Sequence, residues 1–233
     1  MIVGIHQPNF FPWLGYFDKL NKSDAFIFLD DVQFPRGRAG AYSNRVKLLI
    51  SGEPRWVTAS IERKFSGTRK INEMILHSDV AWRSQVIKTI ERNYKRARFF
   101  DLCFPFLQDL ILDPEDNLSL FNSKAIQSIC KKLDLDTGKI SKSSSLDHQG
   151  DSNQLLISLT RAIGGSTYMS GSGGASSYLD EVAYSKAGIM LRHQAFVHPQ
   201  YSQHNSTVFQ PGLSIIDSIM NLGFDDTRQL LEN

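Results

Sequence analysis

Two short apolar runs near the start of the chain, residues 2–5 and 25–29, do most to limit what it can fold into. A polar, proline-containing loop follows the first run, and then Trp13, Leu14, Phe17 and Leu20 recur at helical spacing. Pro12 suits the first turn of that helix, where a missing N–H costs nothing. The second run, Ala25-Phe26-Ile27-Phe28-Leu29, has no polar alternation, as expected of a parallel strand buried on both faces. Strand, loop, helix and strand make a βαβ crossover that ends in Asp30-Asp31-Val32-Gln33-Phe34.

Downstream, residues 42–50 and 55–61 read as an antiparallel hairpin around Ser51-Gly52-Glu53-Pro54. Trp82, Val86, Ile90 and Tyr94 form the buried stripe of a helix. Further helical segments follow Phe99 and occupy about 118–133. Strand character returns at 139–141, 167–170 and 188–191, with a helix expected over 153–163 and an amphipathic one within 206–223. Alternating strands and helices predict a three-layer, Rossmann-like and nucleotidylyltransferase-like α/β domain. Its sheet is mainly parallel, with about five strands. The expectation is one domain over 1–233, with 35–135 as a hairpin plus helical insertion.

Composition rules out several classes. The 233 residues carry 26 basic and 24 acidic side chains, which gives no electrostatic case for nucleic acid or an anionic membrane as partner. No apolar run reaches bilayer length, and the first residues lack a basic n-region. The two cysteines, Cys103 and Cys130, match no metal or redox spacing and read as buried, reduced thiols. A cytosolic protein acting on a small molecule is the expectation.

Ligands of open parallel sheets bind beyond the carboxyl ends of the strands. That rule selects four polar segments. The first holds His6, Gln7, Asn9, Trp13, Gly15 and Tyr16. It combines donors, acceptors, flat rings and a helix N-terminus suited to an anion. The others are Asp30, Asp31 and Gln33; the serines of 141–145; and Ser170, Gly171, Ser172 and Gly173, whose backbone could cradle an anion. Arg36, Asn44, Arg45 and Lys47 add a basic group suited to phosphate or carboxylate. For each there is a plainer role: cap, turn, solvated charge or flexible loop. His193, His198 and His204 are spaced too irregularly for a metal site, and no nucleophile motif is present.

His6-Gln7-Pro8-Asn9-Phe10-Phe11-Pro12-Trp13-Leu14-Gly15-Tyr16-Phe17-Asp18-Lys19, Leu29-Asp30-Asp31-Val32-Gln33-Phe34 and Asn44-Arg45-Val46-Lys47 together resemble the WbqC-like family. So do Ile90-Glu91-Arg92-Asn93-Tyr94-Lys95, Tyr168-Met169-Ser170-Gly171, His198-Pro199-Gln200-Tyr201 and Leu213-Ser214-Ile215-Ile216-Asp217. A departure falls at 35–42, where the family often shows a Lys, glycines and a Trp or Tyr. The resemblance implies a part in bacterial surface-polysaccharide (O-antigen) or related biosynthesis. It also implies transfer of an acyl or aminoacyl (glycyl) group to an amino sugar or nucleotide-linked amino sugar.

The loop at 9–16 is also similar in layout to nucleotidylyltransferases. Trp13 and Tyr16 stand where their two phosphate-binding histidines would be. An ATP- and magnesium-dependent ligase or nucleotidylyltransferase is therefore an alternative, and a non-catalytic nucleotide-sugar-binding protein is another. In the leading reading His6 is the general base and Asp30 and Asp31 hold a hydroxyl, amine or metal. Arg36, Arg45 and Lys47 hold phosphate or carboxylate, and residues 170–174 close the site.

Overall fold

A computed structural model describes residues 1–35, 42–171 and 179–232. The chain divides into two compact units. Unit 1 comprises Met1–Gln7, Gly15–Asp31 and Asp136–Val197; unit 2 comprises Pro8–Leu14, Val32–Leu135 and His198–Asn233.

Unit 1 is built on five parallel strands: β1 (Ile2–His6), β2 (Ala25–Phe28), β5 (Ile140–Lys142), β6 (Thr167–Ser170) and β7 (Met190–His193). They lie in the order β5-β2-β1-β6-β7, with Gly4 beside Phe26 on one side and Met169 on the other. Counting only parallel strands, this is the 3-2-1-4-5 order of doubly wound folds. All five expected strands are present, and Phe26, Ile27 and Phe28 are wholly buried. Each such side chain contributes about 1.5–3 kcal/mol through burial.

Right-handed crossovers place helix α1 (Leu14–Asn21) on one face of the sheet and α5 (Ser152–Ala162) and α6 (Glu181–Lys186) on the other. Adjacent β1 residues agree: Val3 packs on Gly165 after α5, and Gly4 on Ser23 after α1. The result is the expected three-layer α/β architecture. Helix α1 starts at Leu14, so Pro12 precedes its first turn rather than occupying it.

Unit 2 holds the hairpin β3 (Arg45–Ile50) and β4 (Glu53–Thr58) with helices α2 (Ala81–Tyr94), α3 (Phe100–Leu112), α4 (Leu118–Lys132) and α7 (Ile215–Gln229). Ser51 and Gly52, with φ of 52° and 81°, make the turn. Positive φ at both positions is the twist that joins two tightly paired strands. The turn is thus two residues long, and Pro54 belongs to β4 opposite Leu49.

Trp82, Val86, Ile90 and Tyr94 are buried as expected. Arg83 is buried too, although a basic side chain on a helix is usually solvated. Its guanidinium donates to the carbonyls of Ile111 (2.6 Å) and Glu115 (2.8 Å) and stacks near Trp82 and Phe121. Cys103 and Cys130 are buried and not joined in a disulfide, and burial pushes the Cys103 thiol up to about 12.

Asp217 on α7 is a fully buried carboxylate that gathers three donors. Tyr94 Oη reaches it at 2.9 Å, Tyr201 Oη at 2.7 Å and Gln203 Nε2 at 2.9 Å. Burial pushes the Asp217 carboxyl up, against the pull of those three bonds. Tyr94 Oη also accepts from Leu49 N at 3.0 Å, so the cluster ties β3, α2, α7 and the loop at 201–203 together.

The last helix begins at Ile215, inside the expected span of 206–223, and runs past Gly223 to Gln229. Gly223 breaks its regularity with φ 79° and ψ −175°, a conformation essentially restricted to glycine. A Cβ at Gly223 would lie 2.9 Å from the Phe99 ring, so a side chain meets both backbone strain and a clash. Gly223→Ala is expected to lower unfolding free energy by about 1–3 kcal/mol in urea titration. A loss under about 0.5 kcal/mol would show that the position is not under this constraint.

Candidate active site

The carboxyl ends of the unit 1 strands bring together the side chains with the most chemical potential. After β2 the chain presents Asp30 and Asp31; after β5, a short helical turn presents Ser143 and Ser144. Asp30 is buried and tightly held. Its Oδ1 accepts from Ser144 N and Ser143 Oγ, both at 3.0 Å, and its Oδ2 accepts from Ser144 Oγ at 2.8 Å.

Asp31 shares Ser143 and adds a different partner. Its Oδ1 takes a short contact from Ser143 Oγ, and its Oδ2 lies 2.8 Å from His148 Nε2. Desolvation pushes the Asp31 carboxyl up, but the bonds from Ser143 and His148 and the charge of His148 outweigh it. The group is held below the usual carboxylate range. An ionised Asp31 has only acceptors, so His148 Nε2 carries the hydrogen, and the neutral form of the ring has its lone pair on Nδ1. A carboxylate that fixes the tautomer and orientation of an imidazole is the arrangement found behind general bases. The His148 side chain retains 19% exposure and Asp31 10%, so the pair is partly open to solvent.

At the end of β1, His6 is half-buried against the Tyr16 ring, 4.7 Å between centroids, and its Nδ1 donates to Gln7 O at 3.1 Å. Burial, then the nearby Lys19 charge, pull its pKa down to about 3. His6 is therefore neutral at physiological pH and holds a proton weakly, which suits hydrogen bonding to a ligand more than base catalysis. Lys19 is buried with its Nζ on Ile5 O at 2.7 Å, and desolvation lowers its pKa to about 7.

Ser170 is buried at the end of β6, with Oγ 2.9 Å from Nδ1 of its register partner His193. Gly15 offers its carbonyl to Gln194 Nε2 at 2.6 Å. Gly171 is described, while Ser172 and Gly173 lie outside the described residues, as does Arg36.

The remaining expected residues belong to unit 2. Asn9 is buried, and Gln33 is exposed in a bridge with Lys70. Asn44 is buried, and its Nδ2 donates to Ala59 O at 3.0 Å, closing the hairpin. Trp13 contacts Tyr42, and Arg45 and Lys47 both approach the Trp56 ring.

Sequence reasoning missed His148 and Lys19. Ser143 and Ser144 lay in a segment it selected as a whole. Lys19 closed the first family motif without being given a role. The only pointer to His148 was its place in a polar loop following a strand. Among the described residues no three His, Cys, Asp or Glu side chains are grouped to hold a metal ion. Nor is any helix among them long and apolar enough to cross a membrane.

Fold and site together define an α/β protein whose polar groups converge on the carboxyl edge of a doubly wound parallel sheet. The chain belongs to the WbqC-like protein family, which it matches over residues 7–229. It is also similar to the uncharacterized protein Rv1507c of Mycobacterium tuberculosis, 29% identical over 224 residues that cover 95% of this chain and 94% of that one. No solved structure matches it.

Asp31 sets a pH signature. Its folded pKa is depressed, so its contribution to stability is complete above the ordinary carboxylate pKa of about 4. That contribution is lost as pH falls through the folded value. The Tm difference between wild type and Asp31→Asn is expected to be largest between about pH 5 and 7 and to shrink as pH falls below about 4. An unchanged difference from pH 3 to 7, followed by calorimetry, contradicts the assignment.

Proposed function

We propose that the protein is an enzyme that transfers an acyl or aminoacyl group to the amine of an amino sugar, free or nucleotide-linked. The observation that carries this reading is the 2.8 Å pairing of His148 Nε2 with Asp31, with Asp31 itself fixed through Ser143. Acyl transfer to an amine needs one base that takes a proton from nitrogen as it attacks the carbonyl carbon. The bond between that carbon and its leaving group then breaks, and the leaving group departs with the electron pair and collects a proton. His148 Nδ1 is the group placed to take the proton from nitrogen and return it. Asp31 steadies the imidazolium formed in between.

The surroundings of that base agree with an uncharged, hydrogen-bonding acceptor. Neutral His6 and the buried hydroxyl of Ser170 stand on the same strand-end edge of unit 1. Family membership supports the choice of amino sugar, through the surface-polysaccharide and natural-product roles that the resemblance implies.

The test is a mass-spectrometric screen of nucleotide-linked and free amino sugars with acyl donors, and with amino acids plus ATP and magnesium. The expected product is the amino sugar gaining the mass of one acyl or aminoacyl group. A requirement for ATP would move the protein to the ligases. His148→Gln is expected to lower kcat about 10²- to 10⁴-fold with little change in KM. A variant with wild-type kcat removes His148 from the mechanism. Capture of a nucleotide sugar without any mass change across the screen removes the enzymatic reading.

A further inference from the structure

Unit 2 carries a surface that the proposed chemistry does not use. The β3–β4 register puts Arg45, Lys47 and Trp56 on one face of the hairpin, while Val46, Leu48 and Val57 turn to the core. Trp56 and Tyr42 are each 39% exposed, although large rings are normally withdrawn from water. Tyr42 bridges Trp56 and Trp13, with centroids 5.5 Å and 5.6 Å apart and planes tilted by 57° and 53°, so the three rings form a contiguous aromatic cluster that offers more than one face.

Two cations stand over one end of it: the Arg45 guanidinium 4.2 Å and the Lys47 ammonium 5.3 Å from the Trp56 ring. Neither forms an ion pair among the described residues. The buried Nε of Arg45 makes no hydrogen bond there either. Stacking on an indole holds a guanidinium flat and leaves its N–H edge for an anion.

We infer that Trp13, Tyr42, Trp56, Arg45 and Lys47 bind a nucleoside diphosphate, the base stacking on the rings and the phosphates meeting the two cations. The charge and the rings together select this occupant. Uncompensated cations call for an anion, and exposed aromatic faces call for a flat partner. A nucleoside diphosphate supplies both in one small molecule. A nucleic-acid strand would instead call for a longer basic track, whereas the chain balances 26 basic against 24 acidic side chains. The inference rests on the acyl-transfer reading only in naming the diphosphate as the carrier of an amino sugar.

The test is isothermal titration of the full chain with UDP, GDP, CDP and dTDP, each against its nucleoside, inorganic pyrophosphate and a short oligo(dT). At least one diphosphate is expected to bind about ten-fold or more tightly than either its nucleoside or pyrophosphate, because rings and cations act together. Trp56→Ala and Lys47→Met are each expected to weaken it about ten-fold or more, and Trp56→Phe to recover part of the loss. Arg55→Met, whose parent side chain is exposed and paired with Glu53, should leave it unchanged. Circular dichroism melts confirm that each variant is folded.

Three results overturn the inference: no diphosphate binding, affinity indifferent to Trp56 and Lys47, or tighter binding of oligo(dT). Binding is read without turnover, so diphosphate affinity in a protein that never transfers an acyl group leaves the site standing. Acylation of free amino sugars with no diphosphate binding leaves the acyl-transfer reading standing and ends this one.

Discussion

Two adjacent carboxylates at the end of a buried strand need donors, and the carboxyl edge of unit 1 is organised by how that need is met. Asp30 and Asp31 are each met by donors from the loop after β5. Ser143 stands between them, its hydroxyl in reach of both carboxylates while it accepts from Asp30 N at 3.1 Å. Asp30 is met by serine hydroxyls and a backbone N–H. Asp31 has the one partner that can exchange a proton, and this asymmetry makes His148 the chemically interesting residue. Two neighbouring aspartates thus acquire different roles from their partners alone.

The family motifs divide between the units in the same way. Tyr94, Tyr201 and Asp217, from three separate motifs, meet in one buried hydrogen-bonded cluster in unit 2. Losing an acceptor there would strand three donors away from water, which is costly enough to account for such a pattern on stability grounds. The loop at 8–12 is similarly pinned within unit 2. Asn122 Nδ2 donates to Pro8 O at 2.9 Å, Ile215 N to Pro12 O at 2.8 Å and Ser214 Oγ to Phe11 O at 2.7 Å. The most recognisable segment of the chain therefore gives unit 1 a strand end at His6 and gives unit 2 a tethered loop.

Much of the architecture was legible in the residues because burial on both faces writes itself as an uninterrupted apolar run. The sheet strands could be placed for that reason, as could the stripe from Trp82 to Tyr94. Ends were less legible. Nothing local distinguishes Trp13, which bridges Ser214, from Leu14, which starts the helix. The site was legible only as a location. Asp30 and Asp31 were marked by their place after a strand. The choice between them depended on His148, 117 positions away, and no periodicity carries that information. The burial of Arg83 was hidden for a related reason: its acceptors, Ile111 O and Glu115 O, lie at and just past the end of another helix.

The account stands on His148 presenting its Nδ1 lone pair because Asp31 holds Nε2–H. Long-range ¹H–¹⁵N correlation spectra of the histidine side chains read this directly, with His6 as an internal contrast. In the neutral forms His148 is predicted to be the Nε2–H tautomer and His6, whose Nδ1 donates to Gln7 O, the Nδ1–H tautomer. Asp31→Asn is predicted to abolish the preference at His148 and leave that at His6 untouched. An Nδ1–H tautomer at His148, or one indifferent to Asp31, contradicts the account.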